Sequence, residues 1–139
     1  MNFDKWTTSA AQSIADTQKI AGDLQSASLE IDHWVLAVND LQDRFFENIL
    51  LSHKIDLYDF EQKFRSKVLS LPKMQGGVRA PSRDFSAMIR SAEKIQKQMK
   101  DEYLCLEHLL LGVFEGNSTT KKVLESLGLS KKSVQDVVL

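Results

Sequence analysis

The chain repeats itself. A shift of 75 residues aligns Ile14 with Ile89, Lys19 with Lys94, Ile20 with Ile95, Leu29 with Leu104, His33 with His108, Leu36 with Leu111 and Val38 with Val113. That is seven identities over residues 10–40 without a gap, where background composition would give about two. Past residue 40 the offset becomes 74, so that Ile49-Leu50 falls on Val123-Leu124, Ile55 on Leu129 and Asp56 on Ser130. A unit of this size has apolar faces it cannot cover alone. Two copies in one chain are therefore expected to pack about a pseudo-twofold axis.

The unit is helical. The only prolines, Pro72 and Pro81, lie in one segment with the Gly76-Gly77 pair. Proline disfavours helix and glycine loosens the backbone, so residues 71–81 form a linker. Before it, Thr7 or Thr8 caps a helix to about Leu24, with Ala10, Ile14, Thr17 and Ala21 on one narrow face. Further helices are predicted at about Ile31–Leu41 and Arg44–Ser52. A fourth, capped by Asp56, turns Leu57, Phe60, Phe64, Val68 and Leu71 inward. Ser82 caps the corresponding helix of the second copy. Lys54 stands where that copy has Gly128, a natural left-handed helix stop, so the helix before Lys54 is expected to end less cleanly. The expected fold is all-α: two pseudo-twofold-related four-helix repeats, about eight helices in all. They form a single domain over 1–139, with repeat 1 at about 6–70, the linker at 71–81 and repeat 2 at about 82–139. A groove remains where the halves meet, and grooves between helices commonly take ligands.

Composition and motifs exclude several functions. With 18 basic and 19 acidic residues the net charge is −1, so no bulk field draws the chain to nucleic acid or an anionic membrane. The lysine pairs Lys121-Lys122 and Lys131-Lys132 read as solvated faces. The N-terminus lacks a basic region followed by an apolar run, and no apolar stretch is long enough to span a bilayer. The single cysteine, Cys105, rules out a disulfide within the chain and fits a reducing cytosol. No P-loop, C-x-x-C or H-E-x-x-H spacing occurs, so neither a phosphate cradle nor a standard metal site is expected. His33 and His108 each begin an apolar helix after an acidic residue and read as structural. Cys105 lies near His108 in sequence but reads as a small apolar residue at a helix start. No catalytic constellation is visible, so an enzyme is not expected.

Two copies of a helix of the form His-apolar-apolar-Leu-x-Val, the second within Asp101-Glu-Tyr-Leu-Cys-Leu-Glu-His-Leu-Leu-Leu-Gly-Val113, resemble the double Clp N-terminal domain family. The opening Met1–Thr7 and the linker Leu71-Pro-Lys-Met-Gln-Gly-Gly77 are similar to its ClpB branch rather than ClpA or ClpC. The resemblance implies a mobile, non-catalytic module on a hexameric AAA+ disaggregase. Such a module engages unfolded or aggregated polypeptides and hands them to the AAA+ modules of the same chain, which work with the DnaK system. It implies no cofactor in this domain, ATP being used by the longer protein, and no nucleic-acid or membrane partner. It further implies a cytoplasmic location and a monomeric isolated domain.

Residue by residue, the family's substrate-engaging positions fall on Thr7, Asp101 and Glu107, with Ile95 as an apolar groove candidate. Thr7 and Glu107 also suit a helix start on physical grounds, as a cap and as a negative charge near the dipole. The alternatives are adaptor docking, as in the ClpA and ClpC branches, and a freestanding regulator. Three departures from the family stand out. Ile31 follows Glu30 where the family has proline, Cys105-Leu106 replaces the second cap motif, and Trp34 replaces a leucine. Each altered cap is expected to weaken by about 1 kcal/mol.

Overall fold

The computed structural model describes residues 2–41 and 44–138, with side chains through Asp136. Among them are eight helices: α1 Thr8–Asp23, α2 Ile31–Asn39, α3 Phe45–Ser52, α4 Leu57–Leu69, α5 Arg83–Gln98, α6 Leu106–Glu115, α7 Thr119–Ser126 and α8 Lys131–Val138. Thr7 and Ser82 cap equivalent helices, accepting from the N–H groups of Ala10 (3.2 Å) and Phe85 (3.1 Å). Asp56 and Ser130 do the same for α4 and α8. Helix α2 stops two residues before the expected Leu41, because Leu41 N–H donates to Val38 O and tightens the last turn. Arg44 is not the first helical residue but precedes it in a left-handed conformation, φ 58°. The change of offset from 75 to 74 falls beside residues 42 and 43, and the expected second repeat ends on Leu139; these three residues lie outside the described ones.

The repeat extends to unusual backbone angles. Gln25 and Lys100 are left-handed at φ 55° and 58°, and Lys54 and Gly128 at 56° and 99°. Lys54 therefore makes the same turn as its glycine counterpart, although the left-handed state costs a side chain about 1 kcal/mol. Its helix does not end differently; the surrounding fold imposes the turn.

The halves meet through exchanged backbone hydrogen bonds. Thr7 N–H donates to Leu104 O and Leu104 N–H to Lys5 O (2.9 and 2.7 Å). Ser82 N–H donates to Leu29 O and Leu29 N–H to Ala80 O (both 2.9 Å). The second pair is the first with the halves interchanged, as a twofold interface requires. Each start strand-like segment thus crosses to the other half, and α1 lies against α6 as α5 lies against α2.

His33 and His108 build equivalent helix starts. The Nδ1 of His33 accepts from Glu30 N–H and that of His108 from Cys105 N–H, both at 3.0 Å. The ring at the third helical position here does what glutamate does in a capping box. It satisfies the N–H of the cap residue itself, a different donor from the one a serine cap would accept. With Nδ1 an acceptor, the neutral ring carries its proton on Nε2. That atom faces Ser26 Oγ (2.9 Å) in the first repeat and Asp101 Oδ2 (2.7 Å) in the second.

The cores differ in how they fill equivalent space. Trp34 is fully buried, and its indole N–H donates to Ser13 Oγ (3.0 Å). The corresponding positions of the second repeat hold Met88 and Leu109, also buried. A large residue facing a small one has been exchanged for two of middle size. Trp34, Phe46, Phe60 and Phe64 then form a chain of ring contacts. In α6, Gly112 replaces Ala37 of α2. A Cβ there would come within 2.5 Å of Met88 O, so the close approach of α6 to the α5 backbone requires glycine at this position.

Two predictions follow from these pairs. Trp34→Leu leaves a cavity and is expected to cost about 2–4 kcal/mol. Ser13→Met overpacks the site and orphans the indole N–H, at about 2–4 kcal/mol. The double variant recreates the second repeat's pair and should fall short of the sum by at least about 1 kcal/mol in urea unfolding; strict additivity would refute the pairing. The second concerns His33, whose pKa is lowered by burial, against the opposing pull of Asp32 and Glu30. The unfolded chain then takes up the proton first. The stability tied to His33 is whole above about pH 6.5 and is lost as pH falls from there through the folded-state value. His33→Gln keeps the backbone acceptor, so its thermal midpoint should decline less than the parent's between pH 8 and pH 5.

Candidate functional site

Where the first repeat's N-terminal segment crosses to the second repeat lies a cavity of about 410 Å³. It is lined by Thr7, Met99, Asp101, Tyr103, Glu107 and Leu111, together with Glu102, Cys105 and His108. Thr7 arrives there because its N–H is tied to Leu104 O. Its hydroxyl oxygen is engaged at the N-terminus of α1, so Thr7 both caps and lines. Asp101 follows α5 in an exposed loop and accepts through Oδ2 from the buried ring of His108. Glu107 sits in the first turn of α6, half-exposed, where the helix dipole favours a negative charge. The apolar wall is partly open to solvent: Met99 is 38% and Tyr103 46% exposed. The Lys5 ammonium lies 5.8 Å from the centre of the Tyr103 ring.

Three of the four expected residues, Thr7, Asp101 and Glu107, thus converge on one cavity. Ile95 does not join them. It lines an adjoining cavity of about 310 Å³ between α5, α6 and α8, with Lys94, Glu115 and Lys131 at its edge. Met99 and Leu111 line both cavities, so the two form neighbouring stretches of one surface. Met99, Tyr103, Leu111 and Glu102 were not expected in a site. Leu111 matches Leu36 in the repeat and reads as core, which it also is. Met99 corresponds to Leu24, a position whose partial exposure no periodicity reveals.

The Cys105 thiol is pushed up to about 12, first by burial and then by hydrogen bonding and charge from Glu107. It stays protonated near neutral pH and is a poor nucleophile. Among the described residues no group of three or more His, Cys, Asp or Glu is placed to hold a metal ion, and no helix is long and apolar enough to cross a membrane. The mouth instead combines three carboxylates, of Asp101, Glu102 and Glu107, with an aromatic and a thioether wall.

Known proteins share this architecture. The family described as the Clp repeat (R) N-terminal domain matches residues 5–127. The chaperone protein ClpB of Clostridium tetani is 31% identical over 99% of this chain, which corresponds to 17% of that relative. The chain spans about a sixth of the length of the curated relatives it matches. Among solved structures, the N-terminal domain of Hsp104 from Candida albicans superimposes with a TM-score of 0.84 at 20% identity, covering 96% of this chain and 88% of that one. A ClpV N-domain in complex with a VipB peptide gives 0.75 at 12% identity, covering 98% and 91%. With the family match running through both repeats, and ClpB chaperones among its relatives, this chain belongs to the Clp repeat N-terminal domain family.

Proposed function

We propose that this chain is the polypeptide-binding N-terminal domain of a ClpB-type ATP-driven disaggregase. In this reading residues 1–139 form one non-catalytic domain, with repeats at about 6–70 and 82–139 joined by the linker 71–81. It engages unfolded or aggregated chains in the cytoplasm and passes them to the AAA+ modules of a longer, hexameric protein assisted by DnaK. The observation that carries the reading is the meeting of Thr7, Asp101 and Glu107 at the mouth of one open, partly apolar cavity. The ClpB relative and the peptide-bearing ClpV N-domain support it. Ile95 extends the same surface along α5 as an apolar contact.

The mechanism is weak capture. Unfolded chains expose apolar side chains that folded proteins hide, and Met99 and Tyr103 offer them a wall backed by the buried Leu111. The carboxylates at the mouth favour segments carrying lysine or arginine, an attraction that salt screens. Loose affinity suits a site whose ligand must be released to a translocating ring.

Titration of the isolated chain with a permanently unfolded protein, followed by NMR, tests this. Amide shifts are expected around the cavity. Asp101→Asn and Glu107→Gln should each weaken binding about two- to fivefold, the scale of an exposed charge pair, with unchanged helical circular dichroism. Affinity should also fall between 50 and 300 mM salt. Binding indifferent to both variants would remove these residues from the site. Saturable binding of one folded adaptor, with no response to the unfolded protein, would replace this reading with adaptor docking.

A further inference from the structure

The repeats differ in what covers the loop after their first helix. In the first repeat that loop is covered by the chain's own linker. Met74 N–H donates to Gln25 O and Ala27 N–H to Pro72 O, both at 2.8 Å, which sets Ser26 and Lys73 in an antiparallel bridge. Lys73 Nζ donates to Leu24 O (3.0 Å) and Arg79 Nε to Ser26 O (2.9 Å). The linker is bound as an extended peptide is bound at an edge, through alternate backbone groups with side chains adding further contacts.

In the second repeat no other segment among the described residues pairs with the same loop. Gln25 and Lys100 share a left-handed turn. Ser26 N–H reaches back to Ala21 O (2.9 Å) and Asp101 N–H to Gln96 O (3.1 Å). The groups equivalent to those that hold the linker are Lys100 O and Glu102 N–H. Both residues are exposed, and among the described residues neither group has a hydrogen-bond partner. The loop nevertheless keeps its shape. Gln96 Nε2 donates to Asp101 O (3.2 Å) and Glu102 O (3.1 Å), doing for this loop what Arg79 does for the other. His108 fixes the Asp101 carboxylate. Ala21, the counterpart of Gln96, has no side chain with which to do this. The covered loop therefore relies on its linker, while the bare loop is preorganised without one.

We propose that Lys100–Tyr103 binds an extended peptide as an antiparallel bridge through Lys100 O and Glu102 N–H, with a basic side chain of the peptide beside Asp101. The linker on the first repeat is the built-in counterpart of that ligand. Charge complementarity agrees. The linker brings Lys73 and Arg79 to an uncharged stretch, Gln25–Ser28, whereas the bare loop carries Asp101 and Glu102 beside Lys100, a net negative segment, and Glu107 lines the same cavity. This inference rests on the peptide-binding reading above and adds its mode and the class of segment recognised.

The probe is a blocked synthetic peptide of residues 71–81, titrated into the isotope-labelled chain. Saturable amide shifts are expected at Lys100–Tyr103, largest at Glu102. The same peptide N-methylated at its methionine loses the donor to Lys100 O and should bind about tenfold more weakly, the loss of one hydrogen bond. Methylation at its lysine touches an N–H that the linker does not use, and should change affinity less than about twofold. Equal loss from both methylations, shifts at Gln25–Ser28 instead, or no shift at millimolar peptide would overturn the proposal. The unfolded-protein titration is read separately. If that protein binds through Glu107 but the methylation pattern fails, only the mode is lost. If the peptide shows the pattern while the unfolded protein does not bind, the disaggregase reading is lost and the mode stands.

Discussion

Four backbone hydrogen bonds, given and returned between the halves, decide the rest of the architecture. Those joining Lys5 and Thr7 to Leu104, and Ala80 and Ser82 to Leu29, let each helix start grip the other repeat. Each is a modest interaction by itself, worth about 1 kcal/mol net. Their effect is geometric. They carry Thr7 out of its own repeat and place it beside the loop and helix start of the other, where Asp101 and Glu107 reside. Without that crossing the three residues would belong to separate surfaces, and the apolar faces of α1, α2, α5 and α6 would be left partly open.

Around this frame, equivalent positions have taken different duties. Asp32 and Glu107 share a place in the repeat. Asp32 is buried, accepts from Thr120 Oγ1 at 2.6 Å and lies 3.6 Å from Lys67 Nζ. Burial raises its pKa, while Thr120 and Lys67 pull the other way. These partners come from α4 and α7, so the first repeat uses its acid to tie the halves together. Glu107 is hydrogen-bonded to the Cys105 thiol at its own helix start and stays half-exposed at the cavity. The same division appears at Ser13–Trp34 against Met88–Leu109, and at Ala37 against Gly112. One repeat is built on aromatic bulk with a polar pin, the other on close helix approach.

Most of the fold could be read from the sequence because its signals are local and occur twice. Thr7, Ser82, Asp56 and Ser130 announce helix starts, and the proline–glycine segment announces the break. The site was legible only in part. Thr7, Asp101 and Glu107 were named through resemblance, and nothing in their spacing shows that Thr7 lies against residues about a hundred positions away. Ile95 is a groove candidate because it lies on the helix before Asp101, yet the turn of α5 directs it into the neighbouring cavity. Lys54 misled for a related reason. A residue's preference for a turn is a local property, and the conformation it adopts is set by the repeat around it. The histidine caps also escaped, because capping boxes are ordinarily read from glutamate or glutamine.

Those histidines explain why the mouth of the cavity is acidic in a fixed direction. Both rings are buried, and both spend Nδ1 on a backbone N–H, leaving Nε2 aimed at the loop after the preceding helix. In the first repeat that loop offers Ser26, a buried neutral hydroxyl, and the arrangement is sealed under the linker. In the second it offers Asp101, and the same N–H now orients a carboxylate whose side chain is 45% exposed. One change of residue type at one repeat position turns an internal contact into a surface anion. Its placement costs little ordering entropy, since the ring that holds it is already immobilised by the helix start. The charge at the cavity is therefore anchored to the element that begins α6, and a substitution at His108 would disturb the helix start and the mouth of the cavity at once.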